Sequence, residues 1–212
     1  MADLRFVVPR LYAILDVSSL PESQRTTSHI VGFAEELAAG GVELIQYRNK
    51  DGDARTMLSH ARELRRALDR KVKLIMNDRA DLCLAAGFDG VHVGHDDLSP
   101  ESARRVVGPE RIVGVSTHNL EQLKQADGSP VDDIAYGPIF ATSAKQNPDP
   151  VVGLEGLRAA RAATRKPLVA IGGITRANVC SVIDAGADCV AVISDLLDSP
   201  RQAAEEFLRL MV

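Results

Sequence analysis

The stretch 72-VKLIMNDRADLCLAAGFDGVHVG-94 contains two short apolar runs separated by a segment of helical composition. The runs 72–77 and 90–94 are rich in β-branched residues, which is typical of strands. Gly87 stands where the intervening helix should end. The stretch therefore predicts a strand–helix–strand unit, and strands joined in this way pair in parallel.

The same alternation extends over the rest of the chain. One predicted helix has an apolar stripe on a single face, and another begins at Ser99-Pro100 with a capping Ser and a Pro in the first helical position. Glycines mark further helix ends. The stripe is Leu58, Ala61, Leu64 and Leu68; the helix-ending glycines are Gly40, Gly41, Gly108 and Gly186; and the other predicted strands are 10–16, 42–48, 111–116, 133–140, 167–174 and 189–194.

Strict alternation of strands and helices leaves two architectures, an open doubly wound sheet and a closed (β/α)₈ barrel. A count of eight strands favours the barrel. A doubly wound dinucleotide-binding sheet predicts a glycine-rich turn after the first strand, and 16-DVSSLPES-23 contains no glycine. Since no linker divides the chain, we expect residues 1–212 to form one (β/α)₈ TIM-barrel domain.

Composition excludes several classes of protein. The chain is 45% apolar and 25% charged, which is typical of globular proteins rather than disordered or fibrous ones. A net charge of −4 gives no general reason to expect nucleic acid or an anionic membrane as a partner. No apolar run approaches the ~20 residues that span a bilayer, and the N-terminus lacks the features of a signal peptide. A cytoplasmic location is therefore expected.

Three cysteines, Cys83, Cys180 and Cys189, are an odd number at unpatterned spacing. This pattern argues against a disulfide framework or a zinc site. We expect all three to be small core residues. The sequence carries no signal for the oligomeric state. A homodimer is expected only because symmetric dimers are common among proteins.

Polar residues follow nearly every predicted strand, at the end where barrel enzymes assemble their active sites. The opposite ends carry little beyond Gly, Ala and single charges. Seven clusters in phase predict a site at this mouth of the barrel. The clusters are 46-QYRNK-50, 77-NDR-79, 92-HVGHDD-97, 116-STH-118, 137-GPIFATSAK-145, 172-GG-173 and 194-SD-195.

Gln46, Arg48 and Lys50 alternate along the second strand and should point to the same side. The planar fork of Arg and the point charge of Lys together suit a phosphate or diphosphate. For this triplet alone, a strand end with solvated charges is an equally good interpretation.

Asp78 and Asp97 follow neighbouring strands and could approach each other. Two carboxylates at a barrel mouth repel, and Mg²⁺ would relieve the repulsion with substrate phosphates and waters completing its shell. The alternative is that each Asp caps the helix that follows it. Spacing leaves open whether Asp96 or Asp97 is the ligand.

Two further anion-binding elements are predicted at the same mouth. Lys145 precedes a Pro-containing loop, 146–152, and could hold the same anion from the opposite side. Gly172-Gly173 and Ile193-Ser194 end the seventh and eighth strands, each just before a helix. This is where barrels bind a monophosphate through backbone N–H groups.

The histidines differ in their expected roles. His118 could act as a general acid or base, or pack under a loop. His92 alternates with two valines and should point into the barrel interior, whereas His29 and His60 lie on predicted helices and should be on the surface. The long first connection, 17–28, could fold over the mouth.

With these residues placed, the chain resembles the thiamine phosphate synthase (thiamine-phosphate pyrophosphorylase) family from Leu11 to about Leu197. The resemblance implies a (β/α)₈ barrel that joins a pyrimidine diphosphate to a thiazole phosphate and releases pyrophosphate. The motifs that carry it are 46-QYRNK-50, 77-NDRADLCLAAGFDGVHVGHDD-97, 113-VGVSTH-118, 137-GPIFATSAK-145 with Gly153, 171-IGGI-174 and 190-VAVIS-194.

The resemblance also implies roles for matching positions. Asp78 and Asp97 would bind Mg²⁺, and Lys145, Ser116 and Arg48 would be catalytic. The pyrimidine diphosphate would be bound by Gln46, Tyr47, Arg48, Asn49, Lys50, Asn77, Ser116 and Lys145, and the thiazole phosphate by Thr142, Ser143, Ala144, Gly173, Ile193 and Ser194.

The sequence departs from the family pattern at three places. His95 stands where Gln is common, Ala144 replaces a hydroxyl residue, and 17-VSSLPESQRTTS-28 matches no motif. Rival interpretations are a thiazole tautomerase-like relative, another phosphate-binding barrel isomerase, or a non-catalytic sensor of thiazole or thiamine phosphate. The complete diphosphate and metal set favours the synthase.

Overall fold

The computed structural model describes residues 6–142 and 149–212. In this part of the chain eight strands, β1 to β8, alternate with eight α-helices, α1 to α8. The strands are Leu11–Asp16, Leu44–Arg48, Lys73–Asn77, Gly90–Val93, Ile112–Thr117, Asp133–Tyr136, Leu168–Ala170 and Cys189–Val192.

The helices follow the strands in strict order, and three-residue 3₁₀ turns lie at Val17–Ser19, Glu22–Gln24 and Ser194–Leu196. Within the described ranges, no helix combines the length and the apolar character needed to cross a membrane. The α-helices are Thr27–Ala39, Ala54–Ala67, Ala80–Ala86, Pro100–Val107, Leu120–Asp127, Gly153–Ala163, Val179–Asp184 and Pro200–Leu210.

The eight strands form a closed barrel in which every neighbouring pair is parallel. β1 pairs with β2 on one side and with β8 on the other, with Leu11 opposite Val190 and Ala13 opposite Val192. Closure removes the exposed strand edges that an open sheet would leave. The predicted (β/α)₈ barrel is therefore confirmed, and the doubly wound alternative is wrong.

Two strands, β6 and β7, are at least four residues shorter than the sequence predicts. β6 ends at Tyr136 and β7 at Ala170, although the apolar runs continue to residues 140 and 174. Pro138 has no backbone N–H to donate to a ladder, and Gly172 has a φ of 89° that departs from strand geometry. The apolar residues that follow these strands build the mouth of the barrel instead.

The predicted helix ends agree with the structure. Ser99 caps α4, since its hydroxyl accepts a hydrogen bond from the Ser102 N–H at 3.3 Å, and Pro100 is the first helical residue. Gly87 ends α3 in the left-handed conformation with φ 68°. Gly40 and Gly108 are likewise the residues that directly follow α1 and α4.

Side chains alternate along each strand between the barrel interior and the helix layer. On β1, Leu11, Ala13 and Leu15 belong to the large core that packs the helices against the barrel. Tyr12 and Ile14 belong to the smaller core inside the barrel. The alternation determines which residues of each strand can reach the mouth.

Three aspartates form the same pair of contacts at the amino end of the barrel. Each aspartate directly precedes β4, β6 or β8. Its carboxylate accepts a hydrogen bond from a backbone N–H of the previous strand (β3, β5 or β7) and pairs with an Arg of the helix that leads into that previous strand (α2, α4 or α6). These Asp–Arg clamps join one helix to two strands. They are Asp89 with Leu74 and Arg65, Asp132 with Val113 and Arg104, and Asp188 with Leu168 and Arg161.

Two expectations about individual residues are wrong. His60 is only 5% exposed, because it lies on the face of α2 that packs against β2 and its ring accepts or donates a hydrogen bond to the Tyr47 hydroxyl. Cys180 is exposed on α7, whereas Cys83 and Cys189 are buried as predicted.

Replacing Asp89 with Ala is expected to lower the free energy of unfolding by about 2 kcal/mol, since the Leu74 N–H and the buried Arg65 lose an acceptor. Urea unfolding followed by circular dichroism measures the change. The control is Glu63→Ala, which breaks the exposed Glu63–Arg66 pair and should cost less than about 0.5 kcal/mol. Equal losses in the two variants would contradict a structural role for the clamp.

Candidate active site

A cavity of about 380 Å³ opens at the carboxyl end of the barrel, and all eight strands contribute to its wall. This is the end at which barrel enzymes place their chemistry. Most of the residues predicted for the site line this one cavity. They are Gln46, Arg48, Lys50, Asn77, Asp78, Asp97, Ser116, Thr142, Gly173, Ile193 and Ser194.

On β2 the alternating triplet faces the cavity as predicted. The Gln46 amide donates to the Tyr12 hydroxyl at 2.8 Å. Arg48 pairs with Asp16 at the end of β1, with Nη1 2.5 Å from Oδ2. Asp16 is 1% exposed and also accepts from the Ser18 hydroxyl, so the Arg48 guanidinium is held from behind.

Tyr47 and Asn49 do not line the cavity, so the prediction that they bind the pyrimidine diphosphate is corrected. Both are buried on the helix side of β2. The Tyr47 hydroxyl lies 2.9 Å from His60 Nδ1, and the Asn49 amide donates to the same hydroxyl at 3.1 Å. The strand alternation that brings Gln46 inward turns these two side chains outward.

Asp78 and Asp97 converge at the mouth. The Asp97 carboxylate accepts from the Gly94 N–H at 2.9 Å, and Lys50 Nζ lies 3.1 Å from Asp78 Oδ2. Neither Asp caps the helix that follows, because α3 begins after Arg79 without a side-chain cap and α4 is capped by Ser99. The capping alternative is therefore wrong.

The backbone at Asp78 is unusual, with φ 61° in the left-handed region. A non-glycine residue adopts this conformation at a cost of about 1–2 kcal/mol. The Asp78 N–H donates to the His92 carbonyl at 2.8 Å and the Arg79 N–H to the Asn77 carbonyl at 2.7 Å, which hold the turn. The turn directs the Asp78 carboxylate toward Asp97.

Burial, and then the nearby Asp97 carboxylate, raise the pKa of Asp78 to about 6. A carboxyl group whose pKa is raised by burial and by a neighbouring carboxylate is a suitable place for a hard cation. Among the described residues, no group of three or more His, Cys, Asp or Glu side chains could hold a metal. The two carboxylates alone are a donor set of the kind that Mg²⁺ commonly takes, with waters and substrate phosphates completing the shell.

Ser116 lies on the cavity floor, where its hydroxyl is 2.9 Å from His92 Nε2. His92 points into the barrel as predicted and is 7% exposed. Burial lowers the pKa of His92 to about 4, so its ring is neutral at physiological pH. Tyr12 stands edge-on to this ring, with centroids 6.5 Å apart.

His118 lines the cavity, but both of its ring nitrogens contact protein groups. Nδ1 lies 2.6 Å from the Gly137 carbonyl oxygen and Nε2 lies 3.3 Å from Asp149 Oδ2. Its side chain is 9% exposed. This arrangement favours the predicted packing role over general acid–base catalysis.

A second wall of the cavity is built from the ends of β7 and β8. Gly172 and Gly173 both have positive φ, and a Cβ on Gly173 would lie 2.6 Å from the Ala141 carbonyl oxygen. Ile193 leads directly into the 3₁₀ turn that Ser194 begins. After Gly173, however, α7 begins only at Val179, so the expectation of a helix immediately after both pairs holds for Ser194 alone.

Three predicted site residues, Ser143, Ala144 and Lys145, lie outside the described residues. The first connection, 17–28, contributes no residue to the cavity wall, contrary to the expectation that it covers the mouth. Arg25 folds it back on itself by donating to the carbonyls of Leu20 and Ser18 at 2.9 and 3.0 Å.

Three contributors to the site were not singled out from the sequence. Tyr12 lines the floor, Asp16 holds Arg48, and Asp149 contacts His118. The alternation of β1 places Tyr12 and Asp16 on the inner side of their strand, and that signal could have found both. No sequence signal brings Asp149 to His118.

Replacing Asp97 with Asn is expected to lower the pKa of Asp78 from about 6 toward its ordinary value, because the neighbouring negative charge disappears. The ¹³C shift of the Asp78 carboxyl, followed against pH in metal-free protein, measures it. Asp96→Asn is the control, since this exposed neighbour does not contribute to the shift. An unchanged Asp78 pKa in Asp97→Asn would contradict the convergence of the two carboxylates.

Comparison with known proteins agrees with this geometry. Residues 11–196 match the family described as thiamine monophosphate synthase. The chain is 66% identical to the thiamine-phosphate synthase of Koribacter versatilis, over 96% of both chains. It is 43% identical to that of Chloroflexus aurantiacus, over 96% of this chain and 92% of the relative.

Solved structures give the same result. A thiamine phosphate pyrophosphorylase from Pyrococcus furiosus superposes with a TM-score of 0.83 at 33% identity, over 95% of each chain. A 3-hexulose-6-phosphate synthase from Salmonella typhimurium has a TM-score of 0.75 at 17% identity, and this likeness concerns the fold alone. The chain belongs to the thiamine monophosphate synthase family, the transferases of thiamine biosynthesis.

Proposed function

We propose that this cavity joins hydroxymethylpyrimidine diphosphate to hydroxyethylthiazole phosphate, giving thiamine phosphate and pyrophosphate. The observation that carries the proposal is the pairing of two different anion-binding walls in one cavity. Arg48 and Lys50, with the Asp78–Asp97 pair, line one wall, and the segment ending in Ser194 lines the other. A diphosphate and a monophosphate can thus lie across a shared floor.

The diphosphate is assigned to the β2 wall. Arg48 offers two parallel N–H donors, and Lys50 offers a mobile ammonium group. The amides of Gln46 and Asn77 supply neutral donors beside them. Lys145 is proposed to hold the same diphosphate, as the family resemblance implies.

Asp78 and Asp97 are proposed to hold Mg²⁺. When bound, Mg²⁺ would supply positive charge to the leaving diphosphate. The two carboxylates would hold the cation at the mouth, and the hydrogen bond from the Gly94 N–H fixes the position of the Asp97 carboxylate. Lys50 already lies against Asp78, so it is poised to move to the substrate phosphates when the carboxylate engages a cation.

The reaction exchanges one bond for another at the pyrimidine methylene carbon. The carbon–oxygen bond to the diphosphate breaks, and the electron pair leaves with the pyrophosphate; the thiazole nitrogen then forms the new carbon–nitrogen bond. An electron-rich aminopyrimidine stabilises the intervening methylene cation, so the chain needs chiefly to hold the departing charge and the nucleophile. Ser116 is placed against the pyrimidine.

The thiazole phosphate is assigned to the wall formed by the ends of β7 and β8. Backbone N–H groups after β7 and at the start of the 3₁₀ turn Ser194–Leu196 face a monophosphate in barrels of this architecture. Thr142, Gly173, Ile193 and Ser194 line this part of the cavity, and Ser143 and Ala144 are proposed to complete it. Binding here brings the thiazole nitrogen close to the methylene carbon.

A cytoplasmic location and a homodimeric state complete the proposal. The three cysteines are free thiols, which suits a reducing compartment. Light scattering during size-exclusion chromatography tests the oligomeric state: a mass of two chains supports the dimer, and a mass of one chain contradicts it.

Thiamine phosphate formation is expected with Mg²⁺ and is expected to stop when EDTA removes it. Chromatographic separation of thiamine phosphate, with pyrophosphate release measured in parallel, provides the readout. Product that is equally abundant in EDTA would contradict the metal assignment, and absence of product in both conditions would contradict the proposed function.

Asp78→Asn is expected to lower kcat about a hundredfold or more, as the loss of charge-stabilising groups does elsewhere. Asp81→Asn is the matched control. Asp81 lies nearby on α3, pairs with Arg79 and does not line the cavity. Initial rates at saturating Mg²⁺ compare the two. A wild-type rate in Asp78→Asn would remove Asp78 from the metal site.

Lys145→Ala is expected to lower kcat by a similar factor while leaving the circular dichroism spectrum unchanged, because one cation on the leaving diphosphate is lost. Lys124→Ala, on the exposed side of α5, should retain the wild-type rate. Equal rates in both variants would overturn the role of Lys145.

A further inference from the structure

At the floor of the cavity, where His92 forms part of the wall, three strands place one residue each in a single row. On the parallel ladders, His92 of β4 lies opposite Gly114 of β5, and Gly114 lies opposite Asp133 of β6. All three positions face the barrel interior. Gly114 and Ser116 are successive inward-facing residues of β5, so the row lies one residue pair deeper in the barrel than Ser116.

Gly114 leaves open the space between its two neighbours. A Cβ at this position would lie 2.6 Å from His92 Nδ1 and 2.8 and 3.0 Å from the two carboxylate oxygens of Asp133. A side chain at this position would force the His92 ring or the Asp133 carboxylate to move. The imidazole and the carboxylate therefore border the same small space.

Both groups carry a buried polar atom without a protein partner among the described residues. These atoms are His92 Nδ1 and Asp133 Oδ1, and the two residues are 7% and 3% exposed. Buried polar atoms are almost always satisfied, so an unpaired donor–acceptor set facing one space calls for an explanation. His92 Nε2, in contrast, contacts the Ser116 hydroxyl at 2.9 Å.

We infer that Asp133 is a positioning residue that acts through His92 to fix the direction of the Ser116 hydroxyl. The carboxylate, facing Nδ1 across the space that Gly114 leaves open, draws the single ring proton to that nitrogen. Nε2 is then an acceptor and takes the Ser116 O–H hydrogen bond. The Ser116 oxygen consequently presents lone pairs, rather than its proton, to the cavity and to a donor group on the substrate.

The charge states agree with this arrangement. Burial, opposed by a smaller contribution from the Asp97 carboxylate, lowers the pKa of His92 to about 4, so the ring carries one proton over the physiological range and adopts one of two tautomers. Burial, with a smaller contribution from Asp132, raises the pKa of Asp133 to about 7. Above that pH the carboxylate is ionised and favours a proton on the nitrogen that faces it.

The remaining groups around Asp133 do not supply a competing charge. Tyr12 and Cys189 face it from β1 and β8, and burial together with the Asp133 carboxylate raises the pKa of each well above its ordinary value. Both are therefore neutral. Asp132 lies on the helix side, where its carboxylate pairs with Arg104.

The first test requires no variant and no substrate. In ¹³C,¹⁵N-labelled wild-type protein at pH 8, the ring nitrogen shifts of His92, assigned through the carbons of its own side chain, report which nitrogen is protonated. A proton on Nδ1 is the expected result. A proton on Nε2 overturns the inference, whether or not any variant folds.

The second test is a double-mutant cycle on kcat, and it rests on the proposed contact of Ser116 with the pyrimidine. Asp133→Asn should lower kcat about tenfold, as the loss of one well-directed hydrogen bond does. In a Ser116→Ala background the same substitution should change nothing further, because the group it directs is gone. Asp132→Asn is the matched control and should keep the wild-type kcat, although its clamp with Arg104 is weakened.

The outcomes separate this inference from the proposed function. A tenfold loss that persists in the Ser116→Ala background overturns the connection through Ser116, and an Asp133→Asn variant with wild-type kcat overturns the positioning role. Wild-type activity in Ser116→Ala contradicts both the contact of Ser116 with the pyrimidine and the positioning role of Asp133. It does not contradict the synthase reaction. Failure of the wild-type protein to form thiamine phosphate contradicts the proposed function, and the tautomer measurement still decides the His92–Asp133 arrangement.

Discussion

Closure of eight parallel strands into a barrel is the constraint on which the rest of the structure depends. It leaves each strand with one row of side chains inside and one row against the helices. On β2 this brings Gln46 and Arg48 into the cavity and turns Tyr47 toward His60 on α2. The same geometry aligns His92, Gly114 and Asp133, residues of three different strands, at the cavity floor.

The two cations of the β2 wall are paired with carboxylates before any substrate is present. Arg48 and Lys50, the cations of β2, each contact a carboxylate, but the two pairs differ in strength. Asp16 is buried, so its pair with Arg48 is fixed in place. The Lys50 side chain is 49% exposed, and such pairs contribute about 1 kcal/mol or less. Lys50 can therefore leave Asp78 for a phosphate at little cost, while Arg48 stays oriented toward the same ligand.

Much of the fold could be predicted because its signals are local. β-branched runs gave all eight strands, and Ser99-Pro100 gave the start of α4. The site was predictable only as far as strand alternation was followed. The motif 46-QYRNK-50 was taken whole from a family resemblance, although alternation already separates Tyr47 and Asn49 from the cavity. Contacts across strands, such as Asp16 with Arg48, depend on ladder register, which no short stretch of sequence specifies.

The buried carboxylate of Asp133 is difficult to explain by stability alone. Its pKa is raised by burial, so the folded chain binds the proton more tightly than the unfolded chain does. Its contribution to stability is therefore complete below about pH 4 and is lost as the pH rises through about 7. An apolar side chain at this point of the barrel interior would avoid that loss. A group that weakens folding at neutral pH, and that faces an unpaired ring nitrogen across the space left by Gly114, is better explained by the hydroxyl it directs.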